Sequence, residues 1–138
     1  MNFIEKIKFG LNLCFSGKAR GKYRNNNLEK KFSKFRLLML MVVRNEESIV
    51  RQNILFHKEM GVDGFIVISH KSTDGTNAIL EELKKEGIIL DILYKNGEKH
   101  QHAIWSKEMV MLAKAHHADW VIYADADEFF YSKQKNIK

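Results

Sequence analysis

Three acids stand together in YADADEFFY, residues 123–131, directly after the apolar run Trp120-Val121-Ile122-Tyr123. In an extended segment residues two apart point to the same side, so Asp125 and Asp127 are expected to converge while Ala126 and Glu128 face away. Converging carboxylates repel unless a cation lies between them. Hard divalent cations such as Mg²⁺ or Mn²⁺ take oxygen ligands, commonly one or two carboxylates completed by substrate phosphates. The chemistry indicated is metal-assisted binding of a nucleoside diphosphate, with Mn²⁺ or Mg²⁺ as cofactor. The plainer alternative is that these acids cap whatever follows the strand.

Two other polar stretches invite the same question. Ser72-Thr73-Asp74-Gly75-Thr76 places small hydroxyl residues and a glycine before a helix, where backbone N–H groups meet an anion or where the residues serve as an ordinary N-cap and turn. Arg44-Asn45 follows the first apolar run; Arg44 either pairs with phosphate or is a solvated charge beside Glu46 and Glu47. His100, His102, His116 and His117 lack a third well-placed ligand and are read as a solvated helix end rather than a metal site.

These stretches are positioned by alternating strands and helices. Leu37–Val43 is an uninterrupted apolar run, as expected of a strand covered on both faces. Asn45 offers an N-cap for a helix running to about Met60, with Ile49, Asn53, Phe56 and Met60 along one face. Phe65–Ser69 reads as a second strand, Thr76 opens a helix that Gly87 closes, and Ile88–Tyr94 reads as a third strand. A helix from about His100 to His117 turns Trp105, Met109, Leu112 and Ala113 inward, and Trp120–Ala124 is the fourth strand. This order predicts an α/β fold with a doubly wound, mainly parallel sheet and right-handed crossovers. In such sheets ligands bind beyond the carboxyl ends of the strands, where strand order reverses. VVRNEES, ISHKSTDGT and YADADEFF all fall at those ends.

At 138 residues the chain has room for one core, expected over residues 36–138, preceded by a basic amphipathic helix and linker over residues 1–35. Ten of the 23 Lys and Arg fall in residues 1–36 beside only two of the 17 acids, so the net charge of +6 belongs to the arm and the rest is slightly acidic. That distribution argues against a nucleic-acid partner. It suits an arm whose Phe3, Ile4, Ile7 and Leu11 lie on an anionic membrane surface or pack on the domain. A single cysteine, Cys14, rules out an internal disulfide, and no apolar stretch approaches the length of a membrane span. The expected location is cytoplasmic, peripheral on the inner membrane face if the arm binds lipid.

Taken in order, MVVRNEESIVRQNILFHKEMGVDGFIVISHKSTDGT and ADWVIYADADEFF resemble the N-terminal, nucleotide-binding half of inverting family 2-type glycosyltransferases with the Rossmann-like GT-A fold. The resemblance covers about residues 36–131. It implies that Asp125 and Asp127 hold a divalent cation against the diphosphate of a nucleotide sugar. Asp127 would be the direct ligand, with Asp125 reaching the ribose or a metal-bound water, and Arg44, Asn45, Glu46 and Asp74 would line the nucleotide-sugar site. Glu128 matches the motif without an implied role. His70-Lys71 stands where such enzymes usually carry an acid that recognises the base, and Lys71 offers a phosphate contact instead.

By the same resemblance an acceptor-binding half and a catalytic base are expected beyond the D-x-D stretch, so no catalytic base is assigned and the GT-A domain is expected to be incomplete. The expected function is transfer of a sugar from a nucleotide-diphosphate sugar to a glycan or lipid-linked acceptor, in bacterial surface polysaccharide or lipooligosaccharide assembly. The alternative is a noncatalytic nucleotide-sugar-binding or interaction module. An incomplete sheet is further expected to leave an edge open to self-association.

Overall fold

A computed structural model describes residues 35–97, 101–134 and 136–138. The predicted helix and linker of residues 1–35 lie outside these apart from Phe35, as does His100. The elements are β1 (Leu37–Val43), α1 (Val50–Glu59), β2 (Gly64–His70), α2 (Thr76–Lys85), β3 (Ile89–Lys95), α3 (His102–Ala115) and β4 (Trp120–Ala124).

All four strands are parallel, in the order β3-β2-β1-β4. The chain steps outward from β1 through β2 to β3, then crosses back to place β4 on the other side of β1. Strand order therefore reverses between β1 and β4, which opens a crevice at their carboxyl ends.

The apolar run of β1 is buried on both faces because the two faces meet different helices. Leu37, Met39, Met41 and Val43 pack with Val50 and Ile54 of α1 and with Leu80 and Leu83 of α2. Leu38 and Leu40, joined by Ile66 and Ile68 of β2, pack against Trp105, Met109 and Ala113 of α3. The result is three layers, with α1 and α2 on one side of the sheet and α3 on the other, as a doubly wound α/β fold requires.

Two sequence expectations are corrected. Asn45 does not cap α1: the helix starts five residues later, at Val50, after a turn in which the Ile49 and Val50 N–H groups both donate to the Glu46 carbonyl. The inward face of α1 is consequently Val50, Asn53, Ile54 and His57, with Ile49 and Phe56 only half-buried. Second, the acids after β4 are not on an extended segment, because the Glu128 N–H donates to the Asp125 carbonyl at 3.1 Å and closes a turn.

The sheet edges differ. β3 carries polar partners along its length, with Asp91 against His116 (2.6 Å), Tyr94 Oη donating to Glu81 (2.6 Å) and Lys95 against Glu108 (2.6 Å). β4 is short and leaves Trp120 and Tyr123 about half exposed, at 53% and 45%. At the amino ends of the strands, Asp63 accepts from the Leu37 N–H (2.7 Å) and from Lys138 Nζ (2.5 Å), while Asp119 accepts from the Arg36 N–H (2.7 Å). Asp119 is thus at the end of the sheet opposite the D-x-D stretch. Among the described residues no helix is long and apolar enough to cross a membrane.

Candidate functional site

The three strand-end loops meet at one end of the sheet, but they do different work. The loops after β1 and β2 are laced together. Asn45 adopts a left-handed conformation (φ 57°), which asparagine tolerates better than bulkier residues. This turns its N–H onto Ser72 Oγ (3.2 Å) and its Oδ1 onto the Thr73 N–H (2.8 Å). The Glu46 N–H donates to Thr76 Oγ1 (2.8 Å) and the Glu47 N–H to Asp74 Oδ2 (3.2 Å). In return Glu47 Oε2 accepts from the Gly75 N–H, and Asp74 Oδ1 accepts from the Thr76 N–H at the start of α2 at 3.0 Å. A Cβ at Gly75 would stand 2.9 Å from Glu47 Oε2, so glycine lets the two loops approach this closely.

The lacing explains the titration of Asp74, whose carboxyl is held below its ordinary value chiefly by the Thr76 hydroxyl and further by the backbone N–H groups of Thr76 and Glu47. Of the residues the sequence assigned to the nucleotide sugar, Asn45, Glu46 and Asp74 therefore spend backbone or side-chain polar groups on loop-to-loop bonds. Arg44 is exposed at the end of β1, outside that web. His70 is buried rather than presented to solvent: its Nε2 lies 3.1 Å from the Gly97 carbonyl, and its ring packs 4.9 Å from that of Trp105. Lys71 follows in a left-handed conformation (φ 52°).

The loop after β4 leaves the strand that pairs with β1 on the side away from β2. Ala126 is buried in the α1-side core while Asp125 and Asp127 are exposed; Glu128, expected to face away with Ala126, is exposed as well, because the segment is a turn rather than extended. Glu128 has a structural task the sequence left open: its Oε2 accepts from the Asp125 N–H at 3.1 Å, so the turn is closed from both sides. On the α3 side Asp125 and Glu128 border a cavity of about 230 Å³, together with His102, Ser106, Tyr123 and Val42. Tyr123 Oη donates to the Ser106 carbonyl (3.1 Å) across its wall.

The donor set suits a hard cation, since the exposed groups at the turn are carboxylates and the described residues include no cysteine. Among the described residues no cluster of three or more His, Cys, Asp or Glu is placed to hold a metal alone. A cation here would rest on Asp125 and Asp127 and complete its shell with phosphate oxygens and water, the arrangement common for Mg²⁺ in nucleotide sites. His116 is engaged with Asp91, at the opposite end of α3 from this turn.

Sequence reasoning missed how the turn is held. Asn53 and His57, one helical turn apart on α1, are fully buried among apolar side chains. Asn53 Nδ2 donates to the carbonyls of Ala126 (2.9 Å) and Glu128 (2.7 Å). His57 Nδ1 lies 2.9 Å from Asn53 Oδ1 and from the Asn53 carbonyl, and the Phe130 N–H donates to His57 Nε2 at 3.0 Å. The signal was a polar i, i+4 pair in the middle of an otherwise inward-facing helical stripe.

An α/β sandwich with a parallel, doubly wound sheet and polar loops gathered at its carboxyl end is the architecture of a Rossmann-like glycosyltransferase domain. The family model of glycosyltransferase family 92 matches residues 41–138, and the chain belongs to that family. The match supports the glycosyltransferase reading and names a family other than the family 2 type that the motifs resemble. No curated protein matches the chain.

Proposed function

We propose that the protein binds a nucleotide-diphosphate sugar in the crevice between β1 and β4 and transfers the sugar to a glycan or lipid-linked acceptor. Asp125 and Asp127 would hold Mn²⁺ or Mg²⁺ there. The observation that supports this reading is that two exposed carboxylates follow β4, which pairs with β1 at the point where strand order reverses. The cation would supply Lewis acidity for the departing nucleoside diphosphate. Asp127 is the proposed metal ligand, Asp125 serves metal and ribose, and Arg44 is free to meet phosphate. Asn45, Glu46 and Asp74 shape the wall of the site through the lacing of the two loops. Residues 1–35 would bring the domain to an anionic membrane surface on the cytoplasmic side, which liposome flotation with and without the arm would test.

Calorimetric titration of UDP and GDP in Mn²⁺ and then in EDTA tests the site. Metal-dependent binding in the wild type and its loss in Asp127→Ala are expected; Mn²⁺-dependent binding retained in Asp127→Ala would refute the assignment.

A further inference from the structure

After β4 the described residues 125–134 and 136–138 form no helix or strand and run along α1 to the far end of the sheet. Such a segment has no ladder to satisfy its backbone, and where it passes over a core its N–H and C=O groups need partners. α1 supplies them in a line: Asn53 to Ala126 and Glu128, His57 to Phe130, and the Met60 carbonyl to the Ile137 N–H at 2.8 Å. The first two links grip the residues on either side of Asp127.

The Asn53–His57 pair is complete as a hydrogen-bond system. Because the Phe130 N–H needs an acceptor at Nε2, the imidazole must be neutral with its proton on Nδ1, and that proton goes to the Asn53 oxygens. The Asn53 amide is thereby fixed with its oxygen toward His57, which leaves both amide hydrogens for the two carbonyls of the acidic turn. The rings of Phe56, Phe129 and Phe130 surround His57 at centroid distances of 5.3, 6.1 and 5.5 Å. Neither side chain is exposed, so neither touches a ligand in the crevice.

We propose that Asn53 and His57 are positioning residues for the carboxylates of Asp125 and Asp127: they set the backbone of residues 126–130 so that both acids stand at the crevice before any cation arrives. The proposal rests on the nucleotide-sugar reading for what the acids bind, but not for how the turn is held. A backbone fixed in advance lowers the ordering cost of binding, so the clamp acts on affinity as well as on stability.

The test uses the full chain with His57→Phe, which keeps an aromatic ring but loses both nitrogens, and a Gln/Met pair at position 57, similar in length and differing in the acceptor for the Phe130 N–H. His57→Phe and His57→Met are expected to weaken Mn²⁺-dependent UDP binding by roughly tenfold or more and to speed amide exchange across residues 125–131 while β1 and β2 remain protected. His57→Gln is expected to bind within about threefold of the wild type, since an acceptor for the Phe130 N–H is retained. Equal losses in Gln and Met, or unchanged binding in His57→Phe, would overturn the proposal. Exchange in the wild type decides the clamp even where a variant does not fold: a Phe130 amide as unprotected as that of Phe129 overturns it. Wild-type protein that protects Phe130 yet binds no Mn²⁺–UDP would remove the metal-site reading and, with it, the functional half of this proposal.

Discussion

Asn53→Leu isolates what the buried amide contributes, because leucine has nearly the same volume and leaves little cavity. The substitution removes the donors to the Ala126 and Glu128 carbonyls and one of the two acceptors near His57 Nδ1. The Ala126 bond is buried, so its carbonyl loses its partner without access to water, which costs about 1–3 kcal/mol. The Glu128 bond is only partly buried and water replaces much of it, leaving about 0.5–1 kcal/mol. The His57 N–H still has the Asn53 main-chain carbonyl, and the added apolar burial offsets a fraction of the rest. A net loss of about 2–3 kcal/mol follows, which for a domain of this size lowers Tm by roughly 10–20 °C. Thermal unfolding followed by circular dichroism at pH 7.5 measures it. A Tm within about 3 °C of the wild type would refute the claim that the amide holds this turn.

Burial lowers the pKa of His57 below its ordinary 6.5, with its main-chain bond opposing the shift; the unfolded chain therefore takes up the proton first. Its contribution to stability is complete above about pH 6.5 and is lost as pH falls toward the folded pKa. Denaturant midpoints should thus fall between pH 7.5 and 5.5 in the wild type and fall less in His57→Gln, and equal slopes would count against a buried neutral imidazole. Gly64→Ala puts a Cβ 2.8 Å from Leu90 Cδ1 and 3.3 Å from Leu38 Cδ2, so a loss of about 1–3 kcal/mol is expected in urea unfolding, and an unchanged midpoint would show that Leu90 yields freely. Thr76→Val removes the hydroxyl that chiefly depresses Asp74, so the Asp74 carboxyl should titrate higher by NMR in that variant; identical titration curves would refute the assigned cause.

The strands and the place of the acids after β4 were legible because their signals are local, whereas the turn that holds those acids was not. A doubly buried strand must be apolar throughout, as Leu37–Val43 is, and acids directly after such a strand must emerge at its carboxyl end. The start of α1 was not legible, because Asn45 makes a good cap by type but is drawn away by Ser72 and Thr73, which are remote in sequence. The lacing of the two loops was not legible either: the Glu46 N–H and the Asp74 carboxylate each have a partner in the other loop that spacing along the chain does not reveal. His57 was invisible as a tether since its acceptor role is set by Phe130, 73 residues away.

These misses share a physical origin that also bears on how the site is built. An asparagine and a histidine inside a helix–sheet core are costly unless every polar atom is partnered, and hydrophobic residues of similar size would pack there at less risk. Their presence makes sense only because the segment beside them is irregular: a turn that exposes Asp125 and Asp127 cannot join the sheet, so its carbonyls must find donors elsewhere. Among the described residues α1 both packs on the sheet and partners Ala126, Glu128 and Phe130 of that segment, so residues facing it from α1 can be polar without exposing them to water. The acids at the crevice and the polar pair in the core are then one arrangement. The first requires a turn that leaves the sheet, and the second is what keeps such a turn in a single conformation.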